Sequence, residues 1–176
     1  AKYRIADAQD DSDYLVLNAD DKTLKTAKFW GTPKIIHFST QKSVTEGVFV
    51  KDGELLFALA GSSGTICRTS ELGVPGPHNI ANCAAAAAMT LTLGLDPADI
   101  ARGLRSFKGI EHRIEYVAEI DGVRYINDSK ATNVDSVYVA LQSFDCPLIL
   151  IMGGRDKAGD FTRLAPLMPG RVKEVI

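Results

Sequence analysis

Cysteine is scarce and unpaired in this sequence. The chain has three cysteines, Cys67, Cys83 and Cys146, and no two are close neighbours. A disulfide framework or a zinc site wants pairs at short spacing, so neither organises the fold, and the thiols read as free groups in a reducing cytoplasm. An excess of one charge is lacking too. Lys and Arg number 20 against 22 Asp and Glu, a formal net charge of -2. The basic surplus of a nucleic-acid surface is absent, and no nucleic-acid partner is expected. An anionic ligand must then be held by a few placed groups rather than by the overall field. No apolar run has membrane-spanning length and no signal peptide stands out, so no membrane partner is expected; the Ala84 to Ala88 stretch is too short and is bounded by polar residues. The Gly-x-x-x-x-Gly-Lys-Ser/Thr loop, the His-Glu-x-x-His zinc motif and the Gly-x-Ser-x-Gly nucleophile elbow are all missing.

What is present suits a packed globular protein. Of the 176 residues, 45% are hydrophobic and 24% charged, near the average for domains with a core. Tyr14–Asn18 and Lys34–Ser39 read as buried parallel strands. Gly47–Val50 and Glu54–Phe57 flank Lys51-Asp52-Gly53, a hairpin signature, and Gly64–Arg68 reads as a further strand. The period then changes. Asn79 to Leu93 is an Ala-rich helix with Gly94 as its stop. Asp96 caps a second helix with Pro97 in its first position, running to about Phe107. The Gly109 region reads as a linker. Beyond it, Glu115–Ile120 and Val123–Ile126 flank Asp121-Gly122 as another hairpin. Asn133 or Thr132 caps a helix, Pro147–Met152 is a buried strand, Phe161–Met168 a short helix, and Val172–Ile176 the start of another strand. Strand, helix, strand, helix, strand suggests a Rossmann-like unit with a parallel sheet. The fold expected is α/β, in two segments that meet near Gly109. The chain opens as if inside a helix and stops in a strand, so it is expected to be a fragment.

Four clusters carry candidate chemistry. In Gly76-Pro77-His78-Asn79-Ile80-Ala81-Asn82, two amides three residues apart share one face at a helix start. They offer the donor and acceptor that an adenine edge requires. Capping of an ordinary helix is the plainer reading. Glu111-His112-Arg113-Ile114-Glu115 follows the linker; its arginine can reach a phosphate or stack on a base, or make a surface salt bridge. Asn127-Asp128-Ser129-Lys130-Ala131-Thr132-Asn133 lies between a strand and a helix, where open α/β sheets bind ligands. There Asp128 can accept from ribose hydroxyls, Lys130 can place charge near a phosphate, and Thr132 sits at a helix N-terminus; a polar loop with a cap is the alternative. In Met152-Gly153-Gly154-Arg155-Asp156-Lys157, the glycines allow close backbone approach and Lys157 can bind a carboxylate.

Taken in order, these clusters resemble the Mur ligase family. The first string looks like the helix motif of the family's central domain, and His112-Arg113 like the start of its C-terminal domain. The string from Asn127 to Asn133 is the most diagnostic, and points to the branch that adds D-glutamate. The resemblance implies residues 1–108 as a partial central ATP-binding domain and 109–176 as a partial, Rossmann-like C-terminal domain. It implies an amide-bond-forming ligase of peptidoglycan synthesis, with ATP and Mg2+, acting on UDP-N-acetylmuramoyl-L-alanine and D-glutamate through an acyl phosphate. Asn79, Asn82, His112, Arg113 and Asp128 would bind nucleotide, Lys130 would act at the phosphates, and Thr132 and Lys157 would hold D-glutamate. The main Mg2+ ligands are expected outside this chain, with the phosphate loop and the nucleotide-sugar domain. The fragment is expected to be inactive alone and the parent monomeric. Competing readings are a related ligase such as folylpolyglutamate synthetase, against which the Asp128–Asn133 string argues, and a non-catalytic nucleotide-binding or interaction module.

Overall fold

A computed structural model describes residues 2–74, 76–155 and 159–176. The chain divides into two compact units, Ala1–Lys108 and Gly109–Ile176. In the first, β1 (Tyr14–Asn18), β2 (Lys34–Ser39), β3 (Gly47–Lys51), β4 (Glu54–Leu59) and β5 (Ser62–Arg68) lie side by side in chain order. The first three are parallel and the last three antiparallel. Helix α1 (Pro77–Thr92) packs on β1 to β4, and α2 (Pro97–Ser106) on β5 and α1. Strand periodicity sends Val16, Ile36, Phe38, Val48, Val50, Leu55 and Phe57 into one core. Against them α1 turns Ala84, Ala87 and Ala88, all fully buried. Methyl-sized side chains let the helix lie close to the sheet.

The β2–β3 connection is unusual. Parallel neighbours ordinarily need a long crossover, yet only residues 40–46 join them. The short loop suffices because only the end of β2 pairs with the start of β3, His37 opposite Gly47. The approach is so close that a Cβ on Gly47 would lie 1.7 Å from the His37 carbonyl oxygen. Asp20, just past β1, ties down the loop. Its carboxylate accepts from Ser39 Oγ at 2.6 Å and from the Thr40 N–H at 2.8 Å. Ser39, fully buried, accepts in turn from the N–H groups of Gln41 and Lys42. Hairpin turns at Asp52-Gly53 and Ala60-Gly61 have positive φ at both central residues, the geometry that matches strand twist.

The second unit has β6 (Glu115–Ile120), β7 (Val123–Asn127), α3 (Val134–Gln142), β8 (Leu148–Leu150) and β9 (Val172–Val175). The alternating order is present and β8 runs parallel to β9; β7 instead pairs antiparallel with β6, across Asp121-Gly122, in a separate sheet. Val134, Leu141 and Leu164 form the core. The short helix expected near Phe161–Met168 is present as a 3-10 helix, Phe161–Leu167. Pro166 has no N–H for the i−4 bond. Strand β8 is shorter than the apolar run 147–152, although the Met152 N–H still donates to the Ile176 carbonyl at 2.9 Å.

Gly47, at the start of β3, and Gly53, in the turn after it, should separate crowding from backbone strain. Gly53 has φ +77° and nothing within 4 Å of an added Cβ. Gly53→Ala is expected to cost about 1 kcal/mol, from conformation alone. Gly47→Ala adds a backbone collision and should cost more than about 3 kcal/mol. Urea unfolding midpoints measure both.

Candidate functional site

Asn79 and Asn82 lie in the first turns of α1. The cap of this helix is Gly76, with no side-chain cap bond, and Pro77 fills the first helical position. The N–H groups of Asn79 and Ile80 both donate to the Gly76 carbonyl at 3.1 Å. Neither asparagine is therefore the N-cap, which removes the plainest structural reason for them. Asn82 is exposed and Asn79 half-buried.

The second and third clusters meet in one knot within the second unit. Register places Glu115 opposite Asn127 at the open end of the β6–β7 hairpin. The Ile114 N–H donates to Asp128 Oδ1 at 3.1 Å, and the Lys130 N–H to the His112 carbonyl at 3.0 Å. Asn127 Nδ2 lies 2.8 Å from His112 Nδ1 and donates to Glu115 Oε2 at 3.3 Å. Asp128 Oδ2 is left without a partner among the described residues. Arg113 and Lys130 are exposed, and Arg113 makes no ion pair within its unit among the described residues, so the surface salt bridge weighed for it is not formed there. The knot thus presents two cations and one half-used carboxylate, a set suited to phosphate and hydroxyl groups.

Thr132 is exposed one residue before Asn133, and its N–H donates to the Lys130 carbonyl at 2.9 Å. Asn133 is the cap of α3: its side chain accepts the Ser136 N–H at 2.8 Å. Lys157 lies outside the described residues. Further along the chain, the Thr162 hydroxyl and N–H hold the Asp160 carboxyl below its ordinary range. Two cavities, of about 110 and 440 Å³, are lined by residues around Leu17–Ala19 with His37 and Lys42, and by Phe144–Pro147 with Pro169–Arg171. Neither is lined by a nominated residue, and the smaller is below the size of ordinary ligand pockets. Burial pushes the Cys67 and Cys83 thiols up, so they stay protonated and inert. Sequence reasoning assigned no role to Glu115 or Asn127, although both stand in the strings it singled out.

The model for the Mur ligase middle domain matches residues 1–90. The chain belongs to the Mur ligase family. It is 42% identical, over 99% of its length, to the UDP-N-acetylmuramoylalanine–D-glutamate ligase of Pelotomaculum thermopropionicum, and 41% identical over its whole length to that of Alkaliphilus metalliredigens. It spans 38% and 39% of those relatives, about two fifths of each. Among solved structures it resembles MurF of Acinetobacter baumannii (TM-score 0.61, 18% identity, 92% of this chain and 42% of that one). It also resembles a pseudomurein peptide ligase type C of Methanothermus fervidus (TM-score 0.62, 20% identity, 83% and 38%). At that identity the likeness is one of fold, and it extends the Mur ligase architecture beyond the residues that the family model matches. Among the described residues no helix is long and apolar enough to cross a membrane.

The cap geometry separates Asn133 from its neighbours in this Mur ligase. Asn133→Ala should lower stability by about 1 kcal/mol, while Asn133→Asp, which keeps the acceptor, should leave it nearly unchanged. Chemical denaturation of the two variants checks this.

Proposed function

We propose that this chain is part of an ATP-dependent ligase that joins D-glutamate to UDP-N-acetylmuramoyl-L-alanine in peptidoglycan synthesis. The carrying observation is the knot of His112, Glu115, Asn127 and Asp128, which unites two motif strings on one patch of exposed cations. The names of relatives at about 40% identity support the same substrates.

In this reading the γ-phosphoryl group of ATP passes to the acceptor carboxylate. The amine of D-glutamate attacks the acyl phosphate, an amide bond forms, and phosphate leaves. Little covalent chemistry falls to the protein, which positions reactants and neutralises charge. Asn79 and Asn82 would read the adenine edge from residues 1–108, the partial ATP-binding domain. His112, Arg113 and Asp128 would hold the nucleotide from residues 109–176, the partial C-terminal domain. Lys130 would set its ammonium beside the transferred phosphate, and Thr132 and Lys157 would receive the carboxylates of D-glutamate. A magnesium ion would offset phosphate charge in such a transfer. Among the described residues no group of three His, Cys, Asp or Glu side chains could hold one. The parent enzyme is read as a cytoplasmic monomer with small-molecule partners.

The full-length gene product, given ATP, magnesium, UDP-N-acetylmuramoyl-L-alanine and D-glutamate, should release phosphate and form the amide. Lys130→Ala should lower kcat by about 100-fold, the scale of one lost charge-stabilising donor. Thr132→Val should raise KM for D-glutamate about tenfold, as a lost hydrogen bond to a charged group does. The 176-residue chain alone should release no more phosphate than a heat-treated control. A full-length protein inert to D-glutamate but active with another amino acid would overturn the substrate assignment.

A further inference from the structure

Arg113 sits between two residues in left-handed conformations: His112 has φ +65° and Ile114 φ +46°. Neither is glycine, and for β-branched isoleucine this region is sterically costly. Such conformations persist only where the surroundings over-determine them. Here all three consecutive N–H groups are tied down. The His112 N–H donates to Glu115 Oε2 at 2.7 Å, the Arg113 N–H to the Ile110 carbonyl at 3.1 Å, and the Ile114 N–H to Asp128 Oδ1 at 3.1 Å.

Glu115 is the hub. Its Oε2 accepts the His112 N–H and Asn127 Nδ2, and lies 3.4 Å from His112 Nδ1. The Asn127 amide is oriented by its other end, because Oδ1 accepts the Ser129 N–H at 3.1 Å. Its Nδ2 therefore faces both the imidazole and the Glu115 carboxylate. Glu115 is itself paired with Asn127 in the hairpin register. One end of this side chain is fixed to the sheet and the other to the strained turn. What the turn gains from this is not packing, since His112 and Arg113 are both exposed. It gains a fixed backbone direction from which the Arg113 side chain leaves the chain.

We propose that Glu115 is a positioning residue for Arg113. Its carboxylate locks the turn 112–114, so that the backbone of Arg113 is already placed to send its side chain toward the nucleoside triphosphate. The identity of that ligand rests on the proposed function; the lock itself does not.

The test uses the full-length enzyme with Glu115→Ala, Glu115→Gln, Arg113→Ala and the Glu115→Ala/Arg113→Ala double variant. Glu115→Ala should raise KM for ATP about tenfold, with KM for D-glutamate changed less than about twofold. Glu115→Gln keeps one acceptor oxygen for the His112 N–H and should stay within about threefold of wild type. If Glu115 acts through Arg113, the double variant should be no worse toward ATP than Arg113→Ala alone. Hydrogen exchange should show the His112 amide deprotected in Glu115→Ala and in the double variant, and still protected in Arg113→Ala. An unchanged KM for ATP in Glu115→Ala, or fully additive effects in the double variant, would overturn the proposal and leave Glu115 a structural residue. If the wild type releases no phosphate with these substrates, the proposed function fails. Glu115 is then judged by His112 amide exchange and by calorimetric ATP affinity across the same variants.

Discussion

The Asp128 carboxylate accepts the Ile114 N–H at 3.1 Å, and the candidate site is built outward from that bond. It joins the chain just before β6 to the chain just after β7, at the end of the hairpin where the ladder has run out of partners. Without an acceptor there, the half-buried Ile114 amide would lose water and gain nothing, a cost of about 1–3 kcal/mol. With it, the two loops become one surface. The same solution recurs in the first unit, where Asp20 takes the Thr40 N–H past the end of β2, and where Glu71 takes the Arg68 N–H at 2.8 Å after β5. Backbone groups beyond a strand end must be paired. In this molecule ionised side chains from a neighbouring segment often supply the acceptor, which brings charge to the strand ends where anionic ligands can be met by the remaining cations.

Much of the fold was legible because local chemistry and tertiary context agree. Tyr14–Asn18 is a strand with the bounds that its apolar run gave, and Asp96 and Asn133 are caps because each side chain reaches an N–H two or three residues on. Where the reading fell short, the deciding contact was non-local or the residue type misleading. Ala60-Gly61 turns a hairpin although alanine carries no turn preference; Ala60 takes φ +51° because the β4–β5 ladder closes around it. Helix α1 begins at Pro77, ahead of Asn79, because Gly76 with φ +99° supplies the entry that a side-chain cap usually does. The short helix at Phe161–Leu167 is 3-10 in form, with Pro166 unable to donate an i−4 bond.

The site followed the same rule. Its strings could be picked out one at a time, since each follows a strand or opens a helix. Their meeting depends on hairpin register. Counting back from Asp121-Gly122 puts Glu115 opposite Asp128, and the irregularity between Tyr116 and Ala118 moves the partner to Asn127. A two-residue turn thus contained the pairing to within one position. The positive φ values of His112 and Ile114 had no sequence signal of their own, because neither residue favours that region. They exist only as a consequence of the carboxylates that hold them.

This division of labour bears on how one Mur ligase differs from another. Fold is shared at 18–20% identity with MurF and a pseudomurein peptide ligase, and fold alone does not fix a substrate. The string from Asn127 to Asn133 resembles that of one branch, yet nearly half of it is committed to the scaffold. Asn127 serves His112, Glu115 and the Ser129 N–H; Asp128 gives one oxygen to Ile114; Asn133 caps α3. Among the described residues, Ser129, Lys130 and Thr132 are the polar side chains of the string that make no hydrogen bond to the protein. In the proposed reading Lys130 serves the phosphate, and of these three Thr132 is the residue that meets the amino-acid substrate. On that reading, discrimination between amino acids would fall on the helix-entry side of the loop, and recognition of the nucleotide on the hairpin side. The Asp128–Ile114 bond holds the backbone where those two sides of the loop meet, so a change on one side need not displace the other.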